Sequence, residues 1–347
     1  MLKGLGAKDR EQVLLPEKPV WLHLLLSLME EVELCFPQLN TSCWKPKRPL
    51  SVSVLIYIVL SFISLLTVTL NLLVIISISH FKQLHTPTNL LLLSLAVSDF
   101  FVGLLWLFQI ILIDGCWLFG DFMCALYYGI DYIITSTSVG TMVLISIDRY
   151  VAICDPLHYS TNVGPKRVAI CVSLCWVCSL FFLGVLMNSS VTQSGRYNSC
   201  VGECVIVIQF IYQIIGLILT FVVPIAVIIV LYMRVFAAVL YQARAMRSHT
   251  TAVSLTAKKS ELKAARSLGL VIVVFLLCIC PYFCVTLTGQ DTLLSASSIA
   301  FAICLFYFNS CLNPMIYALL YPWFRKSIRL IITLQILRPG SCETNML

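Results

Sequence analysis

Seven long apolar runs separated by short polar stretches organise the chain. They lie near 51–79, 88–113, 121–152, 168–187, 205–235, 265–289 and 293–320. Crossing about 30 Å of hydrocarbon takes roughly 20 helical residues, and each run is about that long or longer. The pattern therefore predicts an all-α membrane protein, a seven-transmembrane helix bundle over 51–320, with a tail over 1–50 and a second tail over 321–347. At 322–335 the pattern changes: Trp323, Phe324, Ile328, Leu330, Ile331 and Leu334 alternate with Arg325, Lys326 and Arg329, as in a short amphipathic eighth helix lying along the membrane.

The first tail has two parts. Lys3, Lys8, Arg10 and Lys18 precede WLHLLLSLM, a run ending at Met29 that is too short to span a bilayer. No small-residue cleavage site follows it. The preferred reading makes Met29 the start and 1–28 an upstream extension, with a signal-like segment as the alternative. Orientation follows from Lys and Arg. With the N-terminus outside and the C-terminus inside, the cytoplasmic side carries Lys82, Lys166, Arg167, Arg234, Lys258, Lys259, Lys263 and Arg266, whereas the outer loops between spans carry only Arg196. The N-glycosylation sequons at Asn40 and Asn188 both then lie outside.

Composition agrees with this reading. The chain of 347 residues is 60% hydrophobic and 11% charged, which excludes an ordinary soluble domain. A net charge of +7 reflects basic cytoplasmic loops and not a nucleic-acid partner. Most of the sixteen cysteines lie inside apolar runs as small packing residues. Cys35, Cys43, Cys116, Cys124, Cys200 and Cys204 fall in outer segments, where disulfides persist. There is no phosphate-binding loop, no Ser-His-Asp set and no metal-ligand spacing among the five histidines, so an enzyme is not expected.

Chemistry enters with the polar residues inside the spans. Asp99 and Asp131 are the two acids at membrane depth, where a charge costs roughly 2.5 to 3.5 kcal/mol and marks a functional site by default. Arg149 follows Asp131 by about five turns, about 27 Å along one helix face, with Thr135, Ser138 and Met142 between them. Tyr307, Tyr282 and Phe283 are candidate neighbours of Asp131, one as a hydroxyl donor and two as aromatic faces for an ammonium ion. Asn71, Asp99, Ser138, Asn309, Ser310 and Asn313 form either a hydrated pocket for a small cation or a structural hydrogen-bond cluster. Pro156, Pro224, Pro281 and Pro314 mark helix ends or kinks.

Asn71, Asp99, Cys124, Asp148-Arg149-Tyr150, Trp176, Pro224, Pro281 and Asn313-Pro314-Met315-Ile316-Tyr317 resemble the marks of rhodopsin-like class A G-protein-coupled receptors. NSCLNPMIYALLYPWF at 309–324 resembles the fingerprint of the trace amine-associated receptors, here of the fish-like olfactory kind, and FKQLHTPTN at 81–89 and CDPLHY at 154–159 are similar to that family's loops. The resemblance covers nearly the whole chain from about residue 30. It implies a plasma-membrane receptor that binds a protonated amine at Asp131, with Tyr132, Thr135, Thr220, Tyr282, Phe283 and Tyr307 around it. It implies coupling to a heterotrimeric G protein, stimulatory and raising cyclic AMP, through Asp148, Arg149, Tyr150, Tyr232, Glu261, Asn313, Pro314 and Tyr317, with Arg149 held by Glu261 when inactive. It implies no cofactor beyond an allosteric sodium ion at Asp99, Ser138, Asn309 and Asn313. It implies the disulfides Cys124–Cys204 and Cys35–Cys200, with Cys43 as the alternative partner of Cys200.

Two positions depart from the family pattern. Ile279 and Cys304 stand where amine receptors commonly carry Trp, which predicts a wider, less aromatic pocket and puts the transmission of ligand contact in doubt. Alternatives are a biogenic-amine neurotransmitter receptor, a poorly signalling orphan receptor and, from another class, a cation transporter or channel. The lack of repeats or inverted halves argues against the last.

Overall fold

The computed structural model describes residues 32–46, 49–191, 200–204, 210–248, 269–284 and 296–346. Within them apolar helices pack side by side. These are α1 (Leu50–His80), α2 (Pro87–Asp114), α3 (Gly120–Cys154), the short α4 (Pro156–Asn162), α5 (Pro165–Val191), α6 (Phe210–Leu217), α7 (Val223–Ser248), α8 (Gly269–Cys284), α9 (Ala296–Leu320) and α10 (Pro322–Ile332). Six spans are long and apolar enough to cross a bilayer, with α6 and α7 making one of them, and α8 is a shorter apolar helix. The observed ends lie within a few residues of those expected for the first four spans. The fifth runs on to Ser248 instead of stopping near 235, and the amphipathic helix stops at Ile332, three residues short of 335. The expectations for 1–28, Met29 and Glu261 lie outside the described residues.

Local chemistry fixes several boundaries. The Thr86 hydroxyl caps α2 by accepting from the Asn89 amide at 3.3 Å, and Pro87 occupies its first turn. The helix stops at Gly115, which adopts φ 89°, the left-handed conformation open to glycine. A wide π-type turn over Ile218–Val222 separates α6 from α7. Pro224 lacks an N–H, so the carbonyl four residues before it has no helical partner, and the turn absorbs that defect.

Around the apolar core, burial differs from that of a soluble protein at both extremes. Asn71, Ser98, Asp99, Thr137 and Asn313 are fully buried, whereas Leu55, Phe62, Phe181 and Leu277 are each more than 60% exposed. That suits lipid as the solvent, because side chains that need hydrogen bonds must find them inside the bundle. One close helix contact is built on Gly103. A Cβ there would stand 2.8 Å from Val68 Cγ2, and Ser64 on α1 donates to the Gly103 carbonyl at 2.6 Å.

A hairpin of β1 (Val32–Leu34) and β2 (Trp44–Pro46) lies at the end of the bundle that carries Cys116 and Cys124. The expected disulfide Cys124–Cys204 is present. The expected Cys35–Cys200 is not: Cys43 joins Cys200, and Cys35 joins Cys116. The reason is backbone register. Cys43 donates to the Val201 carbonyl at 2.9 Å and Val201 donates to Thr41 at 2.7 Å, so it is the Cys43 edge of the hairpin that lies along the outer loop. Cys35 sits across the hairpin, donating to the Cys43 carbonyl, and reaches the end of α2 instead. Asn40 lies exposed in the hairpin turn; Asn188 falls in the last turn of α5.

At the opposite end the chain returns to the bundle after α10. Glu343 pairs with Lys82 at 3.1 Å, which holds the lysine above its ordinary pKa, and the Ser341 hydroxyl meets His80 Nε2 at 2.9 Å. The Met346 amide donates to Gln83 at 2.9 Å, and its side chain is buried at 2% exposure in the main apolar core. Cys342 is a half-buried free thiol in this segment.

Candidate ligand-binding site

Asp131 lies in the outer half of α3, facing α9. The Tyr307 hydroxyl donates to Asp131 Oδ1 at 2.8 Å. No Lys, Arg or His pairs with this carboxylate among the described residues. A half-buried acid held by one neutral donor and no cation among the described residues is an uncompensated charge, and a protonated nitrogen from outside would complete it. Tyr307 is also in contact with Tyr127, hydroxyl to hydroxyl at 3.3 Å, and Tyr127 donates to Gln109 Oε1 at 2.5 Å.

Aromatic rings form the next layer. Tyr282 and Phe283 of α8 meet Phe306 of α9 at centroid distances of 4.7 and 6.4 Å, and Phe306 packs edge-on against Tyr307 at 5.3 Å. Phe283 stacks on Phe221 of the π-type turn at 4.1 Å. The expected aromatic residues Tyr282, Phe283 and Tyr307 therefore belong to one connected wall. Tyr132 is directed elsewhere and stacks on Phe182 of α5 at 5.8 Å. Thr135 is half-buried on α3. The Thr220 hydroxyl donates to Gly216 of its own helix at 2.7 Å, which leaves only its oxygen to accept from a ligand. Cys304 lines a narrow crevice with Leu60, Trp106, Gln109, Ile110 and Tyr307 that is too small to admit a water molecule. Ile279 is buried in the main core with Phe275.

Deeper in the bundle Asn313 donates to Asp99 at 2.8 Å, Ser98 meets Ser138 at 2.9 Å, and Asn71 donates to the Thr67 and Ser310 carbonyls at 2.9 and 3.0 Å. Five buried oxygens of this region have no hydrogen-bond partner among the described residues: Asn71 Oδ1, Asp99 Oδ1, Asn309 Oδ1, Asn313 Oδ1 and Tyr317 Oη. Unpaired buried acceptors are costly, and a donor set of oxygens alone suits a hard cation or water.

At the other end of α3 Arg149 folds back on its own helix. Its Nε and Nη2 donate to Asp148 Oδ2, at 3.0 and 2.5 Å, and Nη2 also donates to the Thr88 hydroxyl at 2.6 Å. Thr88 in turn donates to Asp148 Oδ2 at 3.0 Å and Tyr159 to Oδ1 at 2.9 Å. Burial and the Asp148 charge raise the Tyr159 pKa above its usual value. Tyr150 and Tyr232 lie half-buried, each packed against a core cluster, and Pro314 falls inside α9. Four participants are absent from the sequence-based site: Gln109, Tyr127, Thr88 and Tyr159. Thr88 and Tyr159 sit inside motifs already singled out and Gln109 and Tyr127 do not; the hydrogen-bonding reach that recruits all four crosses between helices.

A family model described as 7 transmembrane receptor (rhodopsin family) matches residues 70–317. The chain is 36% identical over 327 residues to trace amine-associated receptor 13c of Danio rerio, covering 90% of this chain and 96% of that one. It is 36% identical over 337 residues to trace amine-associated receptor 8a of Rattus norvegicus, covering 91% and 96%. It is 34% identical over 333 residues to trace amine-associated receptor 4 of Mus musculus, again covering 91% and 96%.

Proposed function

The chain belongs to the rhodopsin family of seven-transmembrane receptors and, within it, to the trace amine-associated receptors, and from that premise we propose that it senses a protonated amine at Asp131. As a member of a receptor family it is a multi-pass membrane protein and not an enzyme. The observation that carries the amine reading is the Asp131 carboxylate itself, half-buried between α3 and α9, held by Tyr307 at 2.8 Å and paired with no internal cation among the described residues. An ammonium ion docking there gains a charge-assisted hydrogen bond, and Tyr282 and Phe306 add ring faces beside it, worth about 0.5 to 2 kcal/mol where a face is presented.

The reading extends inward along α3. Ammonium binding draws on Asp131 and Tyr307 and so couples α3 to α9. The Asp99–Asn313 pair joins α2 to α9 deeper in the bundle. Asp99, Ser138, Asn309 and Asn313 would hold a small cation such as sodium, and the unpaired oxygens on three of them fit that use. At the inner end Arg149 leaves Asp148 and Thr88 to engage a heterotrimeric G protein of the stimulatory type, with Tyr232 and Tyr317 repacking around it. The receptor sits in the plasma membrane with the disulfide-tied hairpin outside and α10 inside.

The test is a panel of biogenic and volatile amines on cells carrying a cyclic AMP reporter. The expected result is a saturable rise for at least one amine, absent without the receptor and absent in cells lacking the stimulatory G protein. A rise that persists without that G protein refutes the coupling. Silence across the panel from receptor on the cell surface refutes the ligand class.

A further inference from the structure

The amine site contains one phenol proton fewer than its hydrogen-bond contacts require. Three contacts run in series from α2 to α3: Gln109 to Tyr127, Tyr127 to Tyr307, and Tyr307 to Asp131. A phenol carries one proton. A carboxylate only accepts, so the Tyr307 proton is committed to Asp131. The Tyr127 proton then goes either to Gln109 or to Tyr307.

The distances decide between them. Tyr127 Oη lies 2.5 Å from Gln109 Oε1 and 3.3 Å from Tyr307 Oη. O–H···O bonds span about 2.5 to 3.0 Å, and N–H···O bonds about 2.7 to 3.2 Å. The shorter contact therefore fits a phenol donating to an amide carbonyl and is too short for the amide NH2 turned toward Tyr127. The longer contact lies beyond the range of a good O–H···O bond. Gln109 thus holds the Tyr127 proton away from Tyr307, and a Tyr307 lone pair stays open beside the carboxylate.

We propose that Gln109, acting through Tyr127, is a specificity-determining positioning residue that makes the site a two-acceptor cradle for primary ammonium ions. This rests on the amine reading of Asp131 above. A primary ammonium has three N–H donors and uses both acceptors, the Asp131 carboxylate and the Tyr307 oxygen. A tertiary ammonium has one N–H and uses only the carboxylate. When Gln109 loses its carbonyl, Tyr127 turns its proton to Tyr307, fills that lone pair and removes the advantage of the primary ion. Gln109 is half-buried and touches Asp131 only through the two phenols.

The experiment compares matched amines, 2-phenylethylamine with its N,N-dimethyl derivative and hexylamine with N,N-dimethylhexylamine, by dose–response at equal surface expression. Wild type should prefer the primary member of each pair. Gln109→Leu should lower that preference about tenfold, the factor that follows from about 1.4 kcal/mol for one charge-assisted hydrogen bond. Tyr127→Phe removes the competing proton altogether, so it should keep the wild-type preference, and Gln109→Leu with Tyr127→Phe should recover it. A purely structural role for Gln109 predicts no such recovery. An unchanged preference in Gln109→Leu, or a loss that Tyr127→Phe does not repair, overturns the proposal while leaving the amine reading intact. A wild-type receptor indifferent to every one of these amines, and to the loss of Asp131, removes the premise and the proposal together.

Discussion

Replacing Thr88 by Ala tests how the cytoplasmic end is held closed. Thr88 accepts from Arg149 Nη2 at 2.6 Å and donates to Asp148 at 3.0 Å, in a site where Arg149 is only 9% exposed. Hydrogen bonds to charged groups contribute about 1.5 to 3 kcal/mol each. These two share Asp148 Oδ2 as a neighbour and do not add, so about 2 kcal/mol is a fair figure for the pair. If both Thr88 contacts break on activation, the variant penalises only the closed state. The open-to-closed ratio then rises about thirtyfold. A receptor open about 1% of the time without ligand would become open about a quarter of the time. The assay is ligand-free nucleotide exchange on the G protein in membranes, normalised to receptor at the surface. Thr88→Ala should raise it roughly twentyfold, and Thr88→Ser, which keeps the hydroxyl, should leave it near wild type. Exchange within twofold of wild type at equal expression would refute the idea that Thr88 restrains Arg149.

Other perturbations address the scaffold. Gly103→Ala forces a methyl to 2.8 Å from Val68 and should cost about 1 to 3 kcal/mol, seen as lost surface expression, whereas Gly164→Ala, which meets nothing within 4 Å, should be silent. Mass mapping of unreduced peptides should recover Cys35–Cys116 and Cys43–Cys200; a peptide joining Cys35 to Cys200 would contradict the register of the hairpin. Met346→Ser should speed amide exchange across 82–84 by releasing the buried end of the chain, whereas Glu343→Gln should change little, because its ion pair with Lys82 is well exposed on both sides. Unchanged exchange in Met346→Ser would mean that the return of the chain contributes nothing to that loop.

The spans were legible because lipid imposes length and apolarity on every one of them. The Asp131–Tyr307 contact was within reach of the sequence too, since one acid at depth needs a donor and few spans offer one. Disulfide pairing was legible only for Cys124–Cys204, which the family resemblance implied. Six cysteines allow fifteen pairings, and the choice between Cys35 and Cys43 depends on which edge of a hairpin faces the outer loop. The π-type turn before Pro224 was signalled only as a generic kink, and its effect on Thr220 needed coordinates. Tyr132, adjacent to Asp131 in sequence, points to Phe182 because neighbours on a helix diverge by about 100°. Gln109 and Tyr127 gave no signal at all: a glutamine near the end of an apolar run reads as an interfacial residue until a phenol from another helix is found 2.5 Å away.

The account turns on whether Asp131 is the counter-ion of an external amine. The direct measurement is competition binding of an active primary amine to purified wild type, Asp131→Asn and Tyr307→Phe at matched folding. Asparagine preserves shape and removes only the charge. Loss of a desolvated ion pair should weaken binding by at least a hundredfold in Asp131→Asn and by about tenfold in Tyr307→Phe. Equal affinity in wild type and Asp131→Asn would contradict the account, because the carboxylate would then be serving the fold and not the ligand.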